Sequence, residues 1–379
     1  MKKIALILVM VGVVASLAIA ETSAAKVFPW EGCFTKADGS PYEVVFITDQ
    51  AANEMMVAHT KHDQGVIEKG GGRWTLFSAN MDVAKQSSAL EDTLLRKPDA
   101  IVLHPVAADT TIPYIERGTD KGIDFYVSMM PPLTEKGRLH PDILAYVGDY
   151  QKSSIIARAN YMIDYFKKKG IKARLLFAWG SYGKGSFCAP VWEALQKTIK
   201  GSPWVEKVYE TPGTNFMVEK LYNATMDAFA AHPDINAILP CCGMGQQGIY
   251  QALQDVHRWY PEGHKDHVFI ATRDAEDWAL EYLEQGYINS DCDMHIDRYS
   301  DTTAKVIWWL TVKGAPIKKV NTSKAWSYGQ GIPEEILMHD TLVTKETVQG
   351  MREYWKKMGR DYYNWPCHKD EEFIKYPAP

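Results

Sequence analysis

The chain has 379 residues, 46% of them hydrophobic, with 47 acidic against 42 basic side chains and a formal net charge of −5. A length of this order usually makes two domains, and the apolar share supplies a core for each. The acidic balance, with no Lys/Arg run and no basic amphipathic stretch, argues against nucleic acid or an anionic membrane as partner.

At the start, Lys2 and Lys3 precede an apolar run from Ile4 to Leu17, followed by Ala18-Ile19-Ala20 and the polar Glu21. A basic start, a short apolar stretch and an A-x-A site predict a cleaved signal peptide over residues 1–20. The run is shorter than the ~20 residues that span a bilayer. No cysteine follows Ala20 to carry a lipid, so no direct membrane anchor is expected. Loss of Lys2 and Lys3 takes the mature net charge to about −7. Six cysteines remain: Cys33, Cys188, Cys241, Cys242, Cys292 and Cys367. An oxidising compartment favours disulfides, and six cysteines allow fifteen pairings; Cys33 and Cys367, in the terminal extensions, are one candidate staple. No CxxC or Cys/His spacing matches a zinc site.

From Tyr42 onward, short β-branched runs alternate with helical patterns. Strands are expected at Glu43–Thr48, Trp74–Ser78, Ala100–Leu103, Phe125–Ser128, Leu144–Gly148, Arg174–Ala178, Val205–Glu210, Ala237–Pro240 and Val268–Thr272. Helices are expected at Ala84–Arg96, Thr110–Lys121, Ser153–Lys168, Asn215–Ala231 and Asp274–Gln285. Such alternation makes parallel sheets with helices on both faces, an α/β class. Ligands then bind beyond the carboxyl ends of the strands. Those segments here are Asp49–Met56, His104–Asp109, Met129–Pro132, Trp179–Cys188, Cys241–Gly245 and Arg273–Asp277, rich in Met, Cys, Trp and Asp.

A series of segments in order, among them "VVFITDQAANEMM" (44–56), "LEDTLLRKPDAIVLHPVAADT" (90–110), "ILAYVGDY" (143–150), "AHPDINAIL" (231–239), "VFIATRD" (268–274) and "DTLVTKETV" (340–348), resembles the type I periplasmic binding proteins, the ribose/galactose-binding family that includes autoinducer-binding receptors. The resemblance implies two doubly wound parallel-sheet lobes joined by three crossing segments. These are placed near Ala145–Gly148, near Met294–Asp297 and within Ser323–His339. It further implies an N-terminal extension over 21–41, a first lobe of 42–147 plus about 296–325, and a second of 148–295 plus about 326–348. An aromatic tail over 349–379 lies beyond the family's usual end.

Position by position, the family's first-strand asparagine and two stacking aromatics correspond to Asn53, Met55 and Met56, with Asp49 upstream. An Asp-Arg pair corresponds to Met129 and Met130, and a second-lobe arginine to Cys188. An Asn-Asp pair corresponds to Cys242 and Gly243. Asp274 keeps a carboxylate, and His295 stands where a crossing-strand glutamine is expected. Trp179, Trp192 and Trp278 are available to stack on a sugar or a cation. With the family's arginines replaced, the cleft is expected to be negative, favouring neutral polyols or amines.

The function so implied is capture of a sugar or polyol by domain closure, with a membrane permease of the ATP-driven type as partner and no cofactor. The alternative is a sensor protein's receptor for an autoinducer-like or amine-bearing ligand. A lesser alternative is Cu(I), because Met55, Met56, Met129, Met130, Cys188, Cys242 and His295 offer soft ligands; no metal site is expected. The alternation Asp291, Asp293, His295, Asp297 reads as one polar strand face lining a wet cleft. The loop Gly180–Ser186 lacks P-loop spacing. With no G-x-S-x-G and no H-E-x-x-H, an enzyme is not expected.

Overall fold

A computed structural model describes residues 31–51, 54–132, 134, 139–149, 151–182, 186–317, 335–338 and 340–357. The signal-peptide segment, Asn53, Cys367 and the tail beyond residue 357 lie outside them. In chain order the first half carries β1 (Glu43–Thr48), α1 (Glu54–Lys69), β2 (Arg73–Ser78), α2 (Val83–Arg96), β3 (Ala100–Leu103), α3 (Ile112–Thr119), β4 (Asp124–Ser128) and β5 (Ile143–Asp149). There follow α4 (Gln151–Lys169), β6 (Ala173–Ala178), α5 (Ala189–Ile199), β7 (Val205–Glu210), α6 (Val218–Ala231), β8 (Ala237–Pro240), α7 (Gln247–Asp255), β9 (Phe269–Ile270) and α8 (Asp277–Gln285). The last stretch holds β10 (Ser290–Asp293), α9 (Ile296–Ile307), β11 (Glu335–Met338), β12 (Thr341–Thr344) and α10 (Val348–Lys357).

The first sheet has the order β11-β5-β4-β3-β1-β2 and the second β7-β6-β8-β9, all pairings parallel. Their central strands are apolar on both faces because helices cover both. In β1, Val44 and Phe46 enter one core while Val45 and Ile47 enter the opposite one. In β6, Leu175 and Phe177 divide from Leu176 and Ala178 in the same way. Four apolar cores result, two per lobe. Among the described residues no helix is long and apolar enough to cross a membrane.

The chain passes between lobes three times. After β5 it enters α4, whose Ile155, Ala159 and Met162 lie in a second-lobe core. After β10 it enters α9, whose Tyr299 and Ala304 lie in a first-lobe core. Between β11, paired with β5, and β12, whose Val343 enters a second-lobe core, it passes at Asp340. One expected boundary shifts: β11 extends the first sheet, so Glu335–Met338 belongs with the first lobe and not the second.

Two helices start later than their periodicity implies. Helix α6 begins at Val218, since Asn215 and Phe216 have positive φ (51° and 60°). Helix α8 begins at Asp277, since Asp274 (88°) and Ala275 (49°) are also left-handed. The polar alternation at 291–297 is likewise broken. Strand β10 ends at Asp293, and His295 (φ 54°) caps α9.

Candidate functional site

Both sheets reverse their strand order beside the gap between the lobes, the first between β3 and β1 and the second between β6 and β8. Loops diverge at such points and leave a crevice. The crevice here is a cavity of about 260 Å³. Its wall comes from segments that follow strands in both lobes, joined by Met55 and Val83 near the starts of α1 and α2.

The first lobe contributes Asp49 after β1 and His104 after β3, their side chains 3.3 Å apart and both buried. Gln86 holds the His104 loop in place: its Nε2 donates to the His104 carbonyl (2.9 Å), and its Oε1 accepts from the Val106 amide (2.8 Å). Burial raises the Asp49 carboxyl above its ordinary range, while His104 and the Gln50 amide draw it back. Met129 and Met130 follow β4, and Met81 follows β2. Met129 is left-handed (φ 68°), and its carbonyl accepts from the Tyr146 hydroxyl at 3.0 Å.

The second lobe contributes Ser181, Phe187, Asn215, Phe216, Cys242, Met244, Arg273 and Asp274. Asp274 Oδ2 accepts from the Gly243 amide at 2.9 Å. A Cβ at position 243 would stand 2.2 Å from the Arg273 carbonyl, so this approach requires glycine. The left-handed pair 274–275 is pinned to β10, Asp274 N–H donating to the Cys292 carbonyl (3.0 Å) and Ala275 N–H to Asp291 Oδ1 (3.2 Å). Beneath these loops the wholly buried Arg158 donates to the carbonyls of Pro240 (2.7 Å), Ala271 (3.2 Å) and Cys241 (3.3 Å). It fixes the ends of β8 and β9 relative to each other. Met294, on the second passage, completes the wall. Across the gap, the Gln50 amide of the first lobe meets the Met244 sulfur of the second.

Of the twelve sequence-derived candidates, Asp49, Met55, Met129, Met130, Cys242 and Asp274 stand together in this wall. Asn53 lies outside the described residues. The other five sit elsewhere. Met56 is wholly buried in a first-lobe core. Trp179 packs in a second-lobe core, with its indole N–H on Glu210 at 2.8 Å and Trp192 against it. Cys188, instead of standing in for a ligand-binding arginine, forms a disulfide with Cys241. His295 Nε2 is 2.7 Å from Thr341 Oγ1, joining the second passage to the third.

The expected negative cleft also holds a cation that the family correspondence did not place, because Arg273 is in the wall. It lies 3.9 Å from Asp274 and donates to Asp340, so one guanidinium faces two carboxylates. Asp291 and Asp293, expected on a wet face, are buried and accept from backbone amides instead. The Cys242 thiol is pushed up by burial and then by Asp274. His104, Arg273 and Met244 lie within the post-strand segments and were legible as neighbours of the site. Asn215 and Phe216 were hidden in the helical periodicity of the stretch that follows.

A family model described as a periplasmic binding protein domain matches residues 44–310. No curated protein matches. Solved structures share the fold at low identity. A galactofuranose-binding protein is 15% identical with a TM-score of 0.70, covering 84% of this chain and 99% of its own. A solute-binding protein from Bacillus halodurans C-125 with bound myo-inositol is 17% identical, TM-score 0.68, over 84% and 99%. One from Actinobacillus succinogenes 130z with bound D-allose is 16% identical, TM-score 0.66, over 81% and 99%.

Proposed function

The chain belongs to the periplasmic binding protein family, whose members bind solutes without transforming them, and from that premise we propose that it captures a sugar or polyol by closure of its two lobes. The observation that carries this reading is the placement of the cavity. It sits between the lobes at the strand-order reversals of both sheets, with hydrogen-bonding groups from each side. A volume of about 260 Å³ falls just below the ~300 Å³ at which clefts for drug-sized ligands begin, which suits a monosaccharide-sized solute. Neighbours solved with myo-inositol and D-allose support the same class.

The alternative of an amine-bearing ligand rests on the acidic groups around the cavity, Asp49 and Asp274 with Asp340 behind them, set against the Arg273 guanidinium. The protein so read is exported to the periplasm by residues 1–20 and hands its loaded form to a membrane permease. The test is a thermal-shift screen of the mature, ligand-stripped protein against sugars, polyols and amines. A ligand at a hundred times its Kd adds about 2.7 kcal/mol of stability. Shifts from sugars or polyols support the reading. Shifts from amines alone overturn it.

A further inference from the structure

Methionine makes up fifteen of the chain's 379 residues but six of the eighteen described residues of the cavity wall: Met55, Met81, Met129, Met130, Met244 and Met294. Composition alone would place far fewer there. They come from both lobes and from the second passage, so a bound molecule meets thioethers on several sides. The rings of Phe187 and Phe216 add to the same surface. A thioether sulfur accepts hydrogen bonds weakly and donates none. Its unbranched, polarizable chain adapts to apolar shapes.

The charged groups in the wall arrive with partners already made. Asp49 accepts from the Gln50 amide and stands beside His104. Asp274 accepts from the Gly243 amide, and Arg273 is bonded to Asp340. What remains for ligand hydroxyls is confined to a few positions: the acceptor sites that the Asp49 and Asp274 carboxylates leave over, each carboxylate offering about four, and two further groups. One is the Ser181 hydroxyl, buried and without a hydrogen-bond partner among the described residues; another is Asn215 at the exposed rim. A fully hydroxylated ring would turn several hydroxyls toward sulfur and carbon, where each loses water without replacement.

We propose that the ligand is amphipathic: a deoxy or methyl-substituted sugar or polyol, whose apolar face lies on the thioether wall while its polar edge meets Asp49–His104 and Arg273–Asp274. This inference rests on the sugar or polyol reading above and narrows it.

The experiment is isothermal titration of the mature protein, unfolded and refolded to remove ligand, with matched pairs. The pairs are L-fucose against L-galactose, L-rhamnose against L-mannose, and an O-methyl inositol against myo-inositol. In the pair that binds, the deoxy or methylated member is expected to bind about ten- to a hundredfold tighter, as one group in an apolar pocket allows. Met55→Gln and Met294→Gln, each near-isosteric and adding amide hydrogen bonds to the wall, are expected to shrink that ratio while the melting temperature reports intact folding. A parent sugar that binds as tightly as its partner, or a ratio unmoved in folded variants, overturns the inference. A fully hydroxylated sugar retained by the protein as purified overturns it but leaves the sugar reading standing. No binding by any pair, with no sugar or polyol retained, sinks both.

Discussion

Arg273 Nε donates to Asp340 Oδ2 at 2.6 Å, with both side chains almost wholly buried. Arg273 stands in the cavity wall, and Asp340 is the point where the chain makes its last passage between lobes. The Asp340 amide in turn donates to Ser153 Oγ of α4 (3.2 Å), just after the first passage. One side chain therefore links the cavity wall to two of the segments that pass between the lobes.

Replacing Arg273 with Met would leave Asp340 and Asp274 buried without their cation. Removing one partner of such a pair costs about 3–5 kcal/mol. Urea titration should show a loss of that order. The double variant Arg273→Met/Asp340→Leu should recover most of it, because the penalty lies in the stranded charge.

Asp274→Ala removes a wall carboxylate together with the acceptor for the Gly243 amide. A ligand hydroxyl buried without this acceptor costs about 1–3 kcal/mol, so Kd should rise roughly ten- to a hundredfold. Trp192→Phe, outside the wall, should leave Kd unchanged in the same calorimetric series. An unaltered Kd in the Asp274 variant would show that the ligand sits elsewhere.

The Cys188–Cys241 disulfide closes a loop of 53 residues. By the chain-entropy model a loop of this size is worth about 4 kcal/mol. Cys188→Ser/Cys241→Ser should lower stability by a value of that order in urea. The melting temperature of the native protein should fall in strong reductant, while that of the double variant should not move.

Asp291 is fully buried, and its carboxyl is pushed up to about 8 by burial and by the Asp274 carboxylate. A folded-state value above the unfolded one means the folded chain keeps a proton that the unfolded chain has lost. Its contribution to stability is complete below about pH 4 and falls as the pH rises to about 8. Asp291→Asn keeps an oxygen for the Cys292 and Ala275 amides and removes the charge. Melting temperatures across pH 5–9 should decline less steeply in this variant, with the largest gain at the alkaline end.

Apolar runs such as Val44–Ile47 and Leu175–Ala178 made the parallel sheets legible, because a strand buried on both faces has no polar alternation to obscure it. The rule that function follows strand ends then brought Asp49, Met129, Cys242 and Asp274 to one place. It failed for Trp179 and Cys188, which also follow a strand. The direction of an indole or a thiol depends on neighbours distant in sequence, Glu210 and Cys241 here. His295 failed for a local reason: the chain turns left-handed there and sends the ring toward Thr341. Arg273 was passed over because correspondence with the family looked for arginine elsewhere, although it sits beside the carboxylate that was chosen.

Met129 (φ 68°) and Asp274 (φ 88°) are two of five wall residues, with Met81, Asn215 and Phe216, in backbone conformations that side-chain-bearing residues seldom adopt. That restricts how this cleft can diversify, by drift or in a designed library. At both sites glycine, asparagine and aspartate are tolerated by the backbone, whereas valine, isoleucine and threonine are penalised before any ligand is considered. Met55, Met244 and Met294 carry no such restriction. New specificities should therefore emerge first at these three, with 129 and 274 changing late or not at all.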